Sequence, residues 1–114
     1  MAQKENNIIP MIFDEAFYRK MATQKWRQQD YKKAAEYYEK VLELSPEDFD
    51  IQQHYAQCLV KLNIGKKAEH LFYENIVKDF HVAESFYELS QLNIELNEPN
   101  KAFLFGINYV VLSN

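Results

Sequence analysis

Asp30-Tyr31-Lys32-Lys33-Ala34-Ala35-Glu36-Tyr37-Tyr38-Glu39-Lys40-Val41-Leu42-Glu43-Leu44-Ser45-Pro46 is the stretch that decides the fold. Ala34, Tyr37, Tyr38, Val41, Leu42 and Leu44 recur at helical spacing and give one apolar face. Pro46 stops the helix, because proline lacks the amide hydrogen and clashes with the preceding turn. Upstream, Tyr18, Met21, Ala22 and Trp26 recur at the same spacing, and Gln28-Gln29-Asp30 makes a short polar turn between the two stretches. The pair then repeats. Lys33-Ala34, Lys67-Ala68 and Lys101-Ala102 lie 34 residues apart each time. The same offset aligns Ala22 with Ala56 and Ser90, and Met21 with Tyr55 and Leu89. It also aligns Trp26 with Val60 and Ile94, Tyr37 with Leu71 and Phe105, Leu42 with Ile76 and Val110, and Gln29 with Asn63 and Asn97. Seven columns of matched character without a gap mark a true internal repeat, which must be found before the fold is assigned.

The pattern predicts six helices, over roughly 14–28, 31–44, 48–62, 66–78, 82–96 and 99–112. Ser45 and Asp48 are both candidate N-caps for the third, and Pro99 falls in the first turn of the last. A 34-residue helix–turn–helix unit of this kind resembles the tetratricopeptide repeat (TPR), most closely in its first copy, with Ala22, Ala34, Tyr38 and Pro46 at the family's small, aromatic and proline positions. The resemblance implies an all-α, right-handed α-solenoid of three helix–turn–helix repeats, at about 15–48, 49–82 and 83–114. The array spans 14–114 and follows an N-terminal segment, 1–13. Some positions depart from the family pattern. Lys25 replaces a large apolar residue, with Trp26 beside it as a substitute. Gln29 replaces glycine, Asn75 alanine and Phe80 proline. Gly106 replaces an aromatic while Tyr109 replaces alanine, a pair three residues apart that is expected to conserve volume.

The family's concave face is lined by the first helix of each pair. By resemblance the peptide-binding positions are Arg19, Thr23, Trp26, Gln53, Gln57, Val60, Tyr87, Gln91 and Ile94, with Ala16, Arg27, Asp50, Lys61, Glu84 and Glu95 beside them. Glutamine carries both donors and acceptors and can pair with a peptide backbone regardless of sequence. Trp26 and Tyr87 offer apolar bodies with polar tips. Along these positions the formal charge runs from +2 (Arg19, Arg27) through 0 to −2 (Glu84, Glu95), which orients a charged ligand. The TPR subclass that clamps a C-terminal carboxylate uses Asn and basic pairs that are missing here. Trp26 and Cys58 also have core readings, as a space-filler and an inert thiol; His54, four residues before Cys58, is the one base in reach.

Composition excludes several classes. A net charge of −4 argues against sequence-independent nucleic-acid binding. Two glycines leave no Gly-rich phosphate loop, and His54, His70 and His81 lack metal-site spacing. No catalytic residues, metal site or cofactor are expected. One cysteine permits no internal disulfide and fits a reducing compartment. The apolar patch Ile8-Ile9-Pro10-Met11-Ile12-Phe13 is too short for a signal core or a span, so the expectation is a soluble cytoplasmic protein with no membrane contact.

The last helix stands apart. From Ala102 to Leu112 it is apolar nearly all round, as expected of a helix buried on all sides. Phe103, Leu104, Ile107 and Val111 are therefore candidates for contact with a second copy or with further repeats, the chain being the N-terminal piece of a longer array. Ile8, Ile9, Met11, Ile12 and Phe13 are candidates for folding back over an end of the stack. The functional expectation is a non-catalytic module that binds a partner's peptide or helix in the groove. The alternatives are self-association or scaffold packing through the last helix, and a small secretion-type TPR chaperone.

Overall fold

A computed structural model describes residues 14–113, and the expected packing of Ile8 to Phe13 over an end lies outside them. Six helices follow one another: α1 (Glu15–Arg27), α2 (Tyr31–Leu44), α3 (Phe49–Lys61), α4 (Gly65–Val77), α5 (Val82–Glu95) and α6 (Pro99–Ser113). Each end lies within one residue of the expectation. Each helix packs mainly on its neighbours in sequence, so the helices form consecutive pairs stacked as a solenoid.

The starts of the first three helices are written in aspartates. Asp14, Asp30 and Asp48 each accept a hydrogen bond from the backbone amide three residues on, at 2.9, 3.2 and 3.0 Å. Ser45 is not an N-cap. It ends α2, and its hydroxyl donates to Glu15. The turn inside each pair is a left-handed residue, with φ of 61° at Gln29, 62° at Asn63 and 60° at Asn97. The next amide in each case returns to a carbonyl five residues back, Asp30 to Lys25, Ile64 to Leu59 and Glu98 to Asn93. That pattern closes the helix end and satisfies its free carbonyls. The aligned turn column is therefore a column of one backbone conformation.

The core follows the small-residue columns. Ala22 and Ala56, and Ala34, Ala68 and Ala102, are all buried, letting paired helices approach closely. Ser90 completes the first column, and its hydroxyl donates to the Ala102 carbonyl across the α5–α6 contact. Tyr38, Val41, Tyr55, Leu59, Phe72, Leu89 and Leu92 fill the spaces between the pairs. Where Phe80 replaces proline, its ring stacks on Phe49 at 5.0 Å and closes the junction between the second and third pairs.

The expected volume exchange at Gly106 and Tyr109 does not occur. The Tyr109 ring turns toward α5 and lies 5.2 Å from Tyr87, while Gly106 stays at the floor of an open hollow. Helix geometry explains this. Residues three apart share a face but differ by about 60° in direction, enough to send the ring to another neighbour.

Gln29 holds a left-handed conformation without being glycine, which costs roughly 1–2 kcal/mol. Net of the flexibility that glycine adds to the unfolded chain, Gln29→Gly should stabilise the protein by about 0.5–1 kcal/mol in urea denaturation, and Gln29→Ala should not.

Candidate functional site

The first helices of the three pairs, α1, α3 and α5, are tied to one another by polar side chains. Arg19 donates to Glu15 on its own helix at 2.8 Å and to Asp48, the cap of α3. From α3 to α5, Gln53 donates to Glu84 at 2.9 Å and Gln57 to Glu88 at 3.1 Å, while Asp50 pairs with His81. Three of these partners lie 31 residues apart, so this is a ladder at nearly the repeat spacing. It fixes the distance between successive first helices.

Several residues expected to face a ligand are spent on this ladder. Gln53 is the clearest correction, being 1% exposed and so withheld from any groove. Its oxygen accepts from Asn75 at 2.7 Å and from Ser85 at 3.1 Å. Asn75, the departure from alanine, also donates to the Phe49 carbonyl and accepts from Gln52 at 2.9 Å. A buried polar network of this kind persists only when its members are satisfied. The sequence signal for it was Asn75, a polar residue where the repeat pattern has alanine.

Arg19 is likewise committed. Burial pulls the Asp48 carboxyl up, but the Arg19 guanidinium and the Ile51 amide outweigh it and hold Asp48 below its usual value. Bonds to Ser45 and Arg19 hold Glu15 low in the same way. The positive end of the expected charge gradient therefore falls to Arg27, which is exposed, because Arg19 is neutralised locally.

The remaining positions divide by exposure. Thr23 and Gln91 are open to solvent, and Gln57 is half-buried. Trp26 and Val60 pack partly against the core, with the Trp26 ring edge-on to Tyr31 at 5.2 Å. Trp26 thus fills space beside Lys25 and keeps one side toward solvent. Tyr87 and Ile94 are 45% and 60% exposed. Ile94 stands with Phe103, Ile107 and Val111 around an open hollow of about 610 Å³ between α5 and α6. Leu104 is exposed and does not itself line that hollow.

Cys58 is fully buried, and burial pushes its thiol up to about 12. His54 stacks on the Tyr38 ring at 6.0 Å. Among the described residues no cluster of His, Cys, Asp and Glu could hold a metal ion, and no helix is long and apolar enough to cross a membrane.

Two measurements test this assignment. Gln53→Ala strands Asn75 and Ser85 and should cost about 1–3 kcal/mol, while Gln91→Ala should stay within about 0.5 kcal/mol. Glu88 gives a pH signature. Burial raises its carboxyl, so its ionised form is disfavoured in the folded state. The raised value makes the folded chain hold this proton more tightly, and stability from this group falls as pH rises through the window above the unfolded value. Glu88→Gln should therefore raise Tm at pH 7 by about 1–3 °C, and the gain should vanish below about pH 4, where both states are protonated.

Comparison with known proteins agrees with this geometry. A tetratricopeptide repeat family model matches residues 25–72. Among solved structures, the crystal structure of MamA protein is similar, with a TM-score of 0.75 at 20% identity. The match covers 86% of this chain and 54% of that one, so this chain spans about half of that protein's length. At this identity the likeness speaks for the fold alone. No curated protein matches the chain in sequence. The family match is centred on the second and third helices, and the same helix-pair fold on either side of it supports a tetratricopeptide-repeat solenoid.

Proposed function

We propose that this chain is a non-catalytic, cytoplasmic protein-interaction module whose three repeats, about 15–48, 49–82 and 83–114, present a concave groove to a peptide or helix of a partner protein. Tetratricopeptide repeats generally mediate protein–protein interaction, and the fold is typically a non-catalytic module. The observation that carries the groove is the ladder. By fixing α1, α3 and α5 at one spacing, it holds Thr23, Gln57 and Gln91, one residue from each repeat, in a preformed row. A preformed surface avoids the ordering cost of binding.

Within this reading the roles differ from residue to residue. Thr23 and Gln91 meet the ligand backbone, and Gln57, whose amide nitrogen is held by Glu88, offers its oxygen. The solvent-facing sides of Trp26, Val60 and Tyr87 give apolar contact. Arg19 and Gln53 act as positioning residues, since their polar atoms are engaged in the ladder. Arg27 in the first repeat and Glu84 with Glu95 in the third, all exposed, set the ligand's direction.

Peptides selected from a random display library on the native chain supply the probe. The double variant Gln57→Ala, Gln91→Ala should bind them at least about tenfold more weakly in calorimetric titration, with helicity unchanged. Unchanged affinity removes the groove assignment.

A further inference from the structure

The repeat register supplies an internal control for the last helix. Ala35 and Tyr38 on α2 are buried, and so are Glu69 and Phe72 on α4, where α3 and α5 pack over them. On α6 the matching positions are Phe103, 69% exposed, and Gly106, which floors the hollow beside Ile94 and Val110. The stacking surface that each earlier pair covers is thus apolar and open on the third.

A second surface has a different history. Glu36, Glu39 and Glu43 on α2 are exposed although a pair stacks beyond them, and so are His70, Tyr73 and Val77 on α4. Glu36, Glu43, His70 and Val77 face solvent in a stacked unit, while the Glu39 and Tyr73 column keeps one contact with the next pair, at Tyr55 and at Phe105. On α6 they are Leu104, Ile107 and Val111, three apolar residues at the three–four spacing of a helix–helix seam. A helix stacked as α3 stacks on α2 would cover Phe103 and leave Leu104 and Val111 bare.

We infer that α6, with the end of α5, is a two-fold contact surface for a second copy of this chain, α6 crossing its counterpart near Ile107. Three observations select that occupant. From Ala102 to Ser113 no side chain is charged, so a contact that brings a surface against its own copy meets no like-charge repulsion. The opposite end of the array matches the surface only in part. Among the described residues, Gln24 and Gln28 on α1 and its turn stand where α3 and α5 carry Cys58 and Leu62, or Leu92 and Leu96, so there one copy would set polar groups against the apolar tail of another, although Phe17 and Met21 stand at the Ile51 and Tyr55 positions. The area is adequate: the exposed parts of Ile94, Phe103, Leu104, Ile107, Val110 and Val111 amount to on the order of 600 Å², approaching the ~800 Å² per partner of a standard interface.

The test is the mass of the chain in solution, by sedimentation equilibrium and light scattering from low to high micromolar. The expected result is twice the 13.6 kDa of one chain, with no further growth. Ile107→Glu and Leu104→Glu should each weaken the dimer at least about tenfold, with helicity by circular dichroism unchanged because both side chains are exposed. Leu104→Glu separates the two-fold seam from simple stacking, which does not involve that residue. Ile107→Cys should yield a disulfide-linked dimer on mild oxidation, Cys58 being buried. The double groove variant should dimerise normally, so failure of the groove and failure of this surface are told apart. A monomer throughout the range, a dimer indifferent to both charge variants, or masses that climb past the dimer as head-to-tail chains would each overturn the inference.

Discussion

Each helix in this chain buries its apolar side against its neighbours in sequence, first within its own pair and then on the adjacent pair, and this nearest-neighbour constraint shapes everything else. One apolar cluster runs along the stack from Ala22 on α1 to Leu92 on α5, with Phe105 of α6 packed against it, so stability builds up pair by pair and junction by junction. The junctions are of two kinds. On the side of the second helices they are apolar, with Tyr38, Tyr55 and Phe72 between pairs. On the side of the first helices they are polar, with Arg19 on Asp48 and Gln53 on Glu84. The apolar side supplies most of the free energy, because burying a large side chain is worth about 1.5–3 kcal/mol against roughly 0.5–1.5 kcal/mol for a typical hydrogen bond. The polar side supplies register, since directional bonds tolerate little sliding.

Much of the architecture was legible in the sequence because it depends on column identity. Alanine at Ala22, Ala34, Ala56 and Ala68 reports close helix approach, and the matched turn residues report one turn conformation. The site was less legible, for a physical reason. The 34-residue register says which side of a helix a residue occupies, but not how near the neighbouring helix comes. Gln53 and Gln57 occupy the same face of α3, one turn apart, yet only Gln53 is sealed, by Asn75 and Ser85. Seeing that in advance would have required recognising Asn75 as a buried partner instead of a departure. Ser45 misleads similarly, because a serine next to a proline suits either end of a helix until its hydroxyl finds Glu15.

Side-chain charge declines along the outward faces of the second helices. The exposed positions of α2 carry Glu36, Glu39, Lys40 and Glu43; those of α4 carry His70 and Glu74 among Tyr73 and Val77; those of α6 carry Leu104, Ile107, Asn108 and Val111. Repeats that share one backbone have thus diverged where the fold does not constrain them. The buried columns hold the unit together, and the outward positions are free to acquire a separate chemistry.

Cys58 gives the stack a built-in clock. Its sulfur sits in the middle pair, fully buried, with the proton held tightly. A thiol reagent can reach it only when the centre of the array opens, because fraying at either end leaves the middle pair closed. The rate at which this single sulfur reacts under native conditions therefore measures how often the interior junctions separate, independently of the looser motions of the terminal helices.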